Sequence, residues 1–242
     1  MSELYSLKGK KGLIIGIANE NSIAYGCAKA MRDLGADLAL TYLNEKSKTY
    51  VEPLATNLGA EIFLPCNVQE AGSLENVFNT IKEKWGKIDF AVHSIAFANK
   101  DDLYGRVIDC SKDGFLSAID VSCHSFARFS KLAEPLMVDG GSLLTMTYYG
   151  AEKVIDNYNM MGPIKAALEG FTRYMAAELG PKHIRVNAIS PGPIKTRAAS
   201  GLKEFDSLLN KAAERAPIKG GASIDDVGGA TAWLVTDAGK MV

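Results

Sequence analysis

The chain has 242 residues, with 27 lysines plus arginines against 28 aspartates plus glutamates. That length fits one large α/β domain or two small ones, and an apolar fraction of 47% is enough to fill a full core. The near balance of charge gives no general argument for nucleic-acid or anionic-membrane binding.

The N-terminus has charged residues where a signal peptide needs an apolar centre, and no apolar stretch is long enough to span a bilayer. The first apolar run, Gly12–Gly16, is expected as a short buried strand. A polar loop follows, then a helix from Ile23 to Leu34 with Asn21 or Ser22 as its cap. A strand, a glycine-bearing loop and a helix N-terminus together favour an anion. Gly16 and Gly26 alone do not separate such a site from an ordinary βα connection.

Asp37–Tyr42 is a second expected strand, with Leu43 and Asn44 at the end where a dinucleotide fold often carries a ribose-binding acid. Nothing there decides between NAD and NADP. A helix from about 46 to 58, a strand over 62–66 closed by Asn67 and Val68, and a helix over 73–85 come next. The strand Phe90–His93 exits into Ser94-Ile95-Ala96-Phe97-Ala98, small and apolar residues that let a flat ring approach backbone. Residues 99–113 read as irregular and 115–137 as helical.

A fifth strand over 142–147 leads into the stretch carrying Tyr148, Tyr158 and Lys165. Tyr158 and Lys165 are seven apart, so on one helix they would share a face, and a phenol and an ammonium converging there can hold a ribose and stabilise an oxyanion. Arg185–Ile189 is the sixth strand, and Ser190–Thr196 is a loop stiffened by two prolines. Residues 198–215 read as short helices suited to a mobile lid, and 225–234 as a last helix capped by Ser223. The scattered Cys27, Cys66, Cys110 and Cys123 read as reduced thiols of a cytosolic protein, and His93, His124 and His183 as packing residues, with no metal site expected.

Strand and helix alternate about six times. The expected fold is therefore α/β: a single Rossmann-like, doubly wound parallel sheet with helices on both faces. Right-handed crossovers place Gly16, Asn67, Ser94, Tyr148 and Ile189 along one rim.

In combination, four motifs make the chain similar to a known family: Gly-Ile-Ala-Asn-Glu-Asn-Ser-Ile-Ala-Tyr-Gly at 16–26, His-Ser-Ile-Ala-Phe-Ala at 93–98, Tyr158-x6-Lys165, and Arg-Val-Asn-Ala-Ile-Ser-Pro-Gly-Pro-Ile-Lys-Thr at 185–196. From Leu7 onward the chain resembles the short-chain dehydrogenase/reductase superfamily, and within it the NADH-dependent enoyl-[acyl-carrier-protein] reductases. Ordinary short-chain dehydrogenases use Tyr-x3-Lys with a serine about thirteen residues earlier. Here Met161 stands four before Lys165, and Tyr148 takes the serine's place.

The resemblance implies reduction of the trans-2 double bond of enoyl-acyl carrier protein thioesters, the last step of the fatty acid elongation cycle. It implies Tyr148, Tyr158 and Lys165 as catalytic residues and Ala98 as a substrate contact. It places the dinucleotide on Gly16, Ser22, Ile23, Leu43, Asn67, Val68, Ser94, Ile95, Lys165, Ile194, Lys195, Thr196, Arg197 and Ala198, with NADH preferred to NADPH. It implies one reductase domain over 1–242 with a lid over about 195–218, acyl carrier protein as partner, a homotetramer, and a cytoplasmic location. Lys195, Arg197 and Lys203 are candidate contacts for that acidic partner.

Two departures stand out. Asn67 replaces a common aspartate, and Leu43 replaces a glutamine present in many relatives. The family also continues into a seventh strand where this chain stops at Val242, so an incomplete chain is expected. The competing activities are a short-chain carbonyl (ketoacyl) reductase, which the Tyr158 spacing argues against, and a non-catalytic dinucleotide sensor, which would not need both Tyr158 and Lys165.

Overall fold

Largely apolar runs of four to six residues, most of them flanked by glycine or polar turn residues, form the strands of a computed structural model that describes residues 3–196, 199–201 and 204–242. The elements run β1 (Lys11–Ile15), α1 (Ile23–Asp33), β2 (Asp37–Tyr42), α2 (Glu45–Asn57), β3 (Ile62–Pro65), α3 (Ser73–Trp85) and β4 (Phe90–His93). Then follow α4 (Lys100–Tyr104), α5 (Lys112–Ile119), α6 (Ser125–Ala133), β5 (Gly141–Met146), α7 (Met161–Leu179), β6 (Ile184–Ile189), α8 (Phe205–Arg215) and α9 (Ile224–Val235). Among the described residues the six strands form one sheet, every pair parallel, in the order β3-β2-β1-β4-β5-β6. The fold is the doubly wound α/β sheet expected from the alternation.

Neighbouring residues of a strand feed opposite cores, as the pleat requires. Leu13, Ile15 and Leu143 pack under α3, α6 and α7, whereas Ile14, Leu38, Leu40 and Leu144 pack under α1, α2 and α9. Leu13, Ile14 and Ile15 are wholly buried, each contributing about 1.5–3 kcal/mol. The order of strands reverses between β1 and β4, and in such sheets the crevice beyond the strand ends at that point receives the ligand.

Several expectations need correction. Tyr158 is not on the helix with Lys165. It lies in a turn before α7, because Asn157 and Asn159 adopt left-handed φ values of 61° and 44°. Asparagine tolerates that region better than most residues, and it breaks the helix register. Residues 99–113 are not all irregular, since they contain α4 and a 3₁₀ turn, Val107–Asp109. The helical stretch 115–137 is broken by a π-helical turn, Asp120–His124, between α5 and α6. Ser22 holds the N-cap position of α1, but its hydroxyl does not cap. It turns back to accept from the N–H groups of Ala18 and Asn19 at 3.0 and 3.1 Å. Ser223 does cap α9, in a capping box with Asp226.

β6 forms one edge of the described sheet, and the side chains of Arg185 and Asn187 donate to the Val242 carbonyl at 3.2 and 3.0 Å. No helix among the described residues is long and apolar enough to cross a membrane.

Candidate active site

The crevice at the strand reversal opens into a cleft of about 520 Å³. One end is built by β1, the following loop and α1. Gly16 has φ +108°, and a Cβ there would run into the Ser94 carbonyl, so the two strand ends meet this closely only with glycine. The Ser94 N–H donates to the Ile15 carbonyl at 3.1 Å, which locks the two exits together. Because Ser22 stabilises the loop rather than the helix, the α1 N-terminus reaches the cleft without a side-chain cap. Free N–H groups and the helix dipole there suit a phosphate.

The other end is built by β5, the Tyr158 turn and α7. Lys165 is 4% exposed, and its Nζ donates to the Met146 carbonyl at 2.6 Å. Burial lowers its pKa to about 8, against the opposing pull of Cys123 and Glu169. Thr147 follows Met146, and its hydroxyl donates to Glu169 at 2.7 Å. The rings of Tyr148 and Tyr158 meet edge to face with centroids 4.9 Å apart. Burial pushes both phenols above their ordinary range, with Tyr148 adding to the effect at Tyr158, so both remain protonated donors. Gly150 makes this seat possible, since a Cβ there would meet the Tyr158 ring. The Asn159 amide donates to the Leu103 carbonyl and ties the Tyr158 turn to α4.

The wall between the two ends is the exit of β4, residues 94–99. The Ser122 hydroxyl accepts from the Phe97 N–H at 2.9 Å and donates to the Phe97 carbonyl at 3.0 Å, fixing that peptide from the π turn. Behind the wall, His93 is fully buried, with Nε2 2.7 Å from Ser125 Oγ. The Ser125 hydroxyl donates its proton to the Val121 carbonyl, so Nε2 is the donor in the pair. Burial holds the imidazole neutral, with a pKa of about 3. His93 is thus a packing residue, as expected. Among the described residues no cluster of three or more His, Cys, Asp and Glu is placed to hold a metal.

Gly16, Ser22, Ile23, Ser94, Ile95, Ala98, Tyr148, Tyr158, Lys165, Ile194 and Thr196 all line the cleft, although they come from four separate stretches of sequence. Leu43, Asn67, Val68 and Lys195 lie outside it. Leu43 is 54% exposed past the end of β2. Asn67 bonds within its own turn, donating to Glu70 at 2.9 Å and accepting from the Gln69 N–H at 3.1 Å. Val68 is buried, and its carbonyl accepts from Arg128 at 2.7 Å. Arg197, Ala198 and Lys203 lie outside the described residues.

The sequence alone did not mark Thr147, Leu103, Phe205 or Leu208 as cleft residues, and Met161 entered only as a spacing marker. Phe205 and Leu208 show their three-residue helical spacing on α8 and were legible by that signal. The contact between Ser122 and Phe97 had no signal, because a π turn shifts the phase of every residue after it.

The family model described as enoyl-(acyl carrier protein) reductase matches residues 16–242. The chain belongs to this family. It is 50% identical over 236 residues to enoyl-[acyl-carrier-protein] reductase [NADH] 1 of Rhizobium meliloti (strain 1021), covering 98% of this chain and 87% of that relative. It is 48% identical to the enoyl-[acyl-carrier-protein] reductase [NADH] FabI of Rickettsia typhi, covering 98% of this chain and 90% of that protein. Among solved structures, the enoyl-(acyl-carrier-protein) reductase of Anaplasma phagocytophilum in complex with NAD superposes with a TM-score of 0.93 at 48% identity, covering 98% of this chain and 90% of that one.

Proposed function

We propose that this chain uses NADH to reduce the trans-2 double bond of an enoyl-acyl carrier protein thioester, with Tyr158 and Lys165 as its central residues. The observation that carries the reading is their convergence. A turn and a helix bring a protonated phenol and a buried ammonium to one apolar cleft whose far end is an uncapped helix N-terminus.

The residues present fit the dinucleotide. Gly16, Ser22 and Ile23 at the α1 end would hold the pyrophosphate, Ser94 and Ile95 would flank the central part, and Lys165 would hold the nicotinamide ribose. Ile194 and Thr196 would close over it from the other wall. When bound, NADH supplies the hydride for the β-carbon of the enoyl thioester.

Charge then develops on the thioester oxygen as an enolate, and uptake of a solvent-derived proton at the α-carbon completes the reduction. The Tyr158 hydroxyl donates to that oxygen, and a preorganised donor of this kind contributes roughly 3–4 kcal/mol when it can be removed cleanly. Tyr148 shapes the pocket from the edge of the Tyr158 ring. Phe205 and Leu208 cover the cleft from α8, inside the lid region 195–218. They exclude water from the developing charge. Ala98 meets the acyl chain.

The same reading makes the chain one cytoplasmic reductase domain that receives acyl carrier protein near exposed Lys195. It also makes the chain a homotetramer. A groove between α6 and α7 carries Phe171 and Tyr174, the latter 76% exposed, and a second copy covering that groove is consistent with self-association.

The test follows oxidation of NADH and of NADPH with crotonyl and acetoacetyl thioesters. Turnover of the crotonyl compound, faster with NADH, is expected. Turnover of the acetoacetyl compound alone would move the chain to ketone reduction.

A further inference from the structure

Lys165 and Glu169 stand four apart on α7 and so share a face. Both reach the end of β5. The Lys165 ammonium donates to the Met146 carbonyl at 2.6 Å, and Glu169 Oε1 accepts from the Thr147 hydroxyl at 2.7 Å. One helix therefore grips two consecutive residues of the strand exit, and the next residue is Tyr148, whose ring backs Tyr158. Thr147 is itself buried, and its N–H donates to the Ile189 carbonyl at 2.8 Å, so the grip acts on a segment already held by β6.

We propose that Glu169 is a positioning residue for this reaction: its carboxylate fixes Thr147, and through it the Met146 carbonyl that seats Lys165 and the Tyr148 ring that supports Tyr158. The proposal rests on the roles given above to Tyr158 and Lys165.

The electrostatics run the same way. The other titratable groups around Lys165 are Cys123 on the π turn and His93 on β4. Burial holds the Cys123 thiol protonated, with a pKa of about 11, and His93 neutral, with a pKa of about 3. Arg128 acts on His93, and the Tyr148 and Tyr158 phenols stay protonated. Cys123 and Glu169 both pull the Lys165 pKa upward, and of the two Glu169 is the one that also holds the strand exit through Thr147.

The test compares Glu169→Ala, Glu169→Gln, Thr147→Val and the double variant Thr147→Val/Glu169→Ala in the full chain, with crotonyl thioester and NADH across a pH series. Glu169→Ala and Thr147→Val should each lower kcat about tenfold, with the thioester KM within about twofold, because the reacting groups lose alignment. The double variant should be no worse than Glu169→Ala, since both remove one contact. The amide oxygen of Glu169→Gln still accepts from Thr147, so most of kcat at neutral pH should return. Its NADH affinity should fall at a lower pH than in the parent, because Lys165 has lost one supporting charge.

A Glu169→Ala variant with the parent's kcat and pH profile, whatever its melting temperature, overturns the proposal. So does a double variant whose losses multiply. The parent's turnover and a Lys165→Ala control for NADH affinity separate this result from the underlying reading. A silent Glu169→Ala in an active parent enzyme defeats the positioning role alone. An inactive parent, or NADH affinity unchanged in Lys165→Ala, defeats the reading beneath it.

Discussion

The Tyr158 end of the cleft and the sheet rim at Asn67 and Leu43 are built differently. At the Tyr158 end, polar contacts join distant stretches: Lys165 to Met146, Thr147 to Glu169, Ser122 to Phe97 and Asn159 to Leu103. At the outer rim, Asn67 bonds to Glu70, to Gln69 and, through its N–H, to Ser73, all within six residues, and Leu43 is largely exposed. Chemistry needs donors held where charge will develop, and cross-chain contacts hold them. A rim that only adds binding area can be made of local turns. Substitutions at the first end should therefore damage turnover, and those at the second should barely register.

The largest effect is expected from Tyr158→Phe. It removes one hydroxyl while keeping the ring against Tyr148 and above Gly150. Turnover of crotonyl thioester should fall about 100-fold with NADH affinity nearly unchanged. Equal activity in single-turnover kinetics would take Tyr158 out of the mechanism and erase the contrast between the two ends.

Lys165→Ala comes next, with NADH affinity expected to fall about tenfold or more as a charged hydrogen bond to the ribose is lost. Fluorescence titration of NADH checks it. The pH dependence follows from the lowered pKa. Folded, Lys165 is charged below about 8, and in the unfolded chain it titrates near 10.5. Between those values the unfolded state holds the extra proton, so this group makes stability rise with pH across that window. NADH that bonds the ammonium favours its charged form. Binding at pH 9 should therefore take up protons, and calorimetry in buffers of different ionisation enthalpy measures the uptake. No uptake, or the same uptake in Lys165→Ala, would assign the charge elsewhere.

The sheet was legible because buried parallel strands are short apolar runs closed by glycine or polar turns, as at Gly12–Gly16 and Phe90–His93. The rim followed from crossover handedness, which is why Gly16, Ser94 and Tyr148 could be grouped before their contacts were visible. The placement of Tyr158 was not legible, because seven-residue spacing is blind to the left-handed Asn157 and Asn159 that end the turn before α7. The seat of Lys165 was hidden for a related reason: its partner is a main-chain carbonyl, and any residue type supplies one. At the rim, family likeness named Asn67, but only the fold reveals that its amide is already engaged by Glu70.

That engagement sets the smallest expected effect. Asn67→Asp restores the residue common in relatives, yet here it would place a second carboxylate against Glu70, where the Asn67 amide now donates at 2.9 Å. The acceptor bond from the Gln69 N–H survives the change, so the turn itself should persist. A half-buried carboxylate at 67 and the exposed Glu70 carboxylate repel modestly and turn apart, at a cost of about 0.5 kcal/mol that added salt should reduce. NADH affinity should shift by less than about threefold, and kcat should not change, because nothing in this turn reaches the Tyr158 end. Adding Glu70→Gln to Asn67→Asp should return the lost stability, since a glutamine amide can donate to the new carboxylate. A large loss of kcat in Asn67→Asp, measured at saturating NADH, would mean that the two ends are mechanically coupled and that local turns at the rim help set the catalytic geometry.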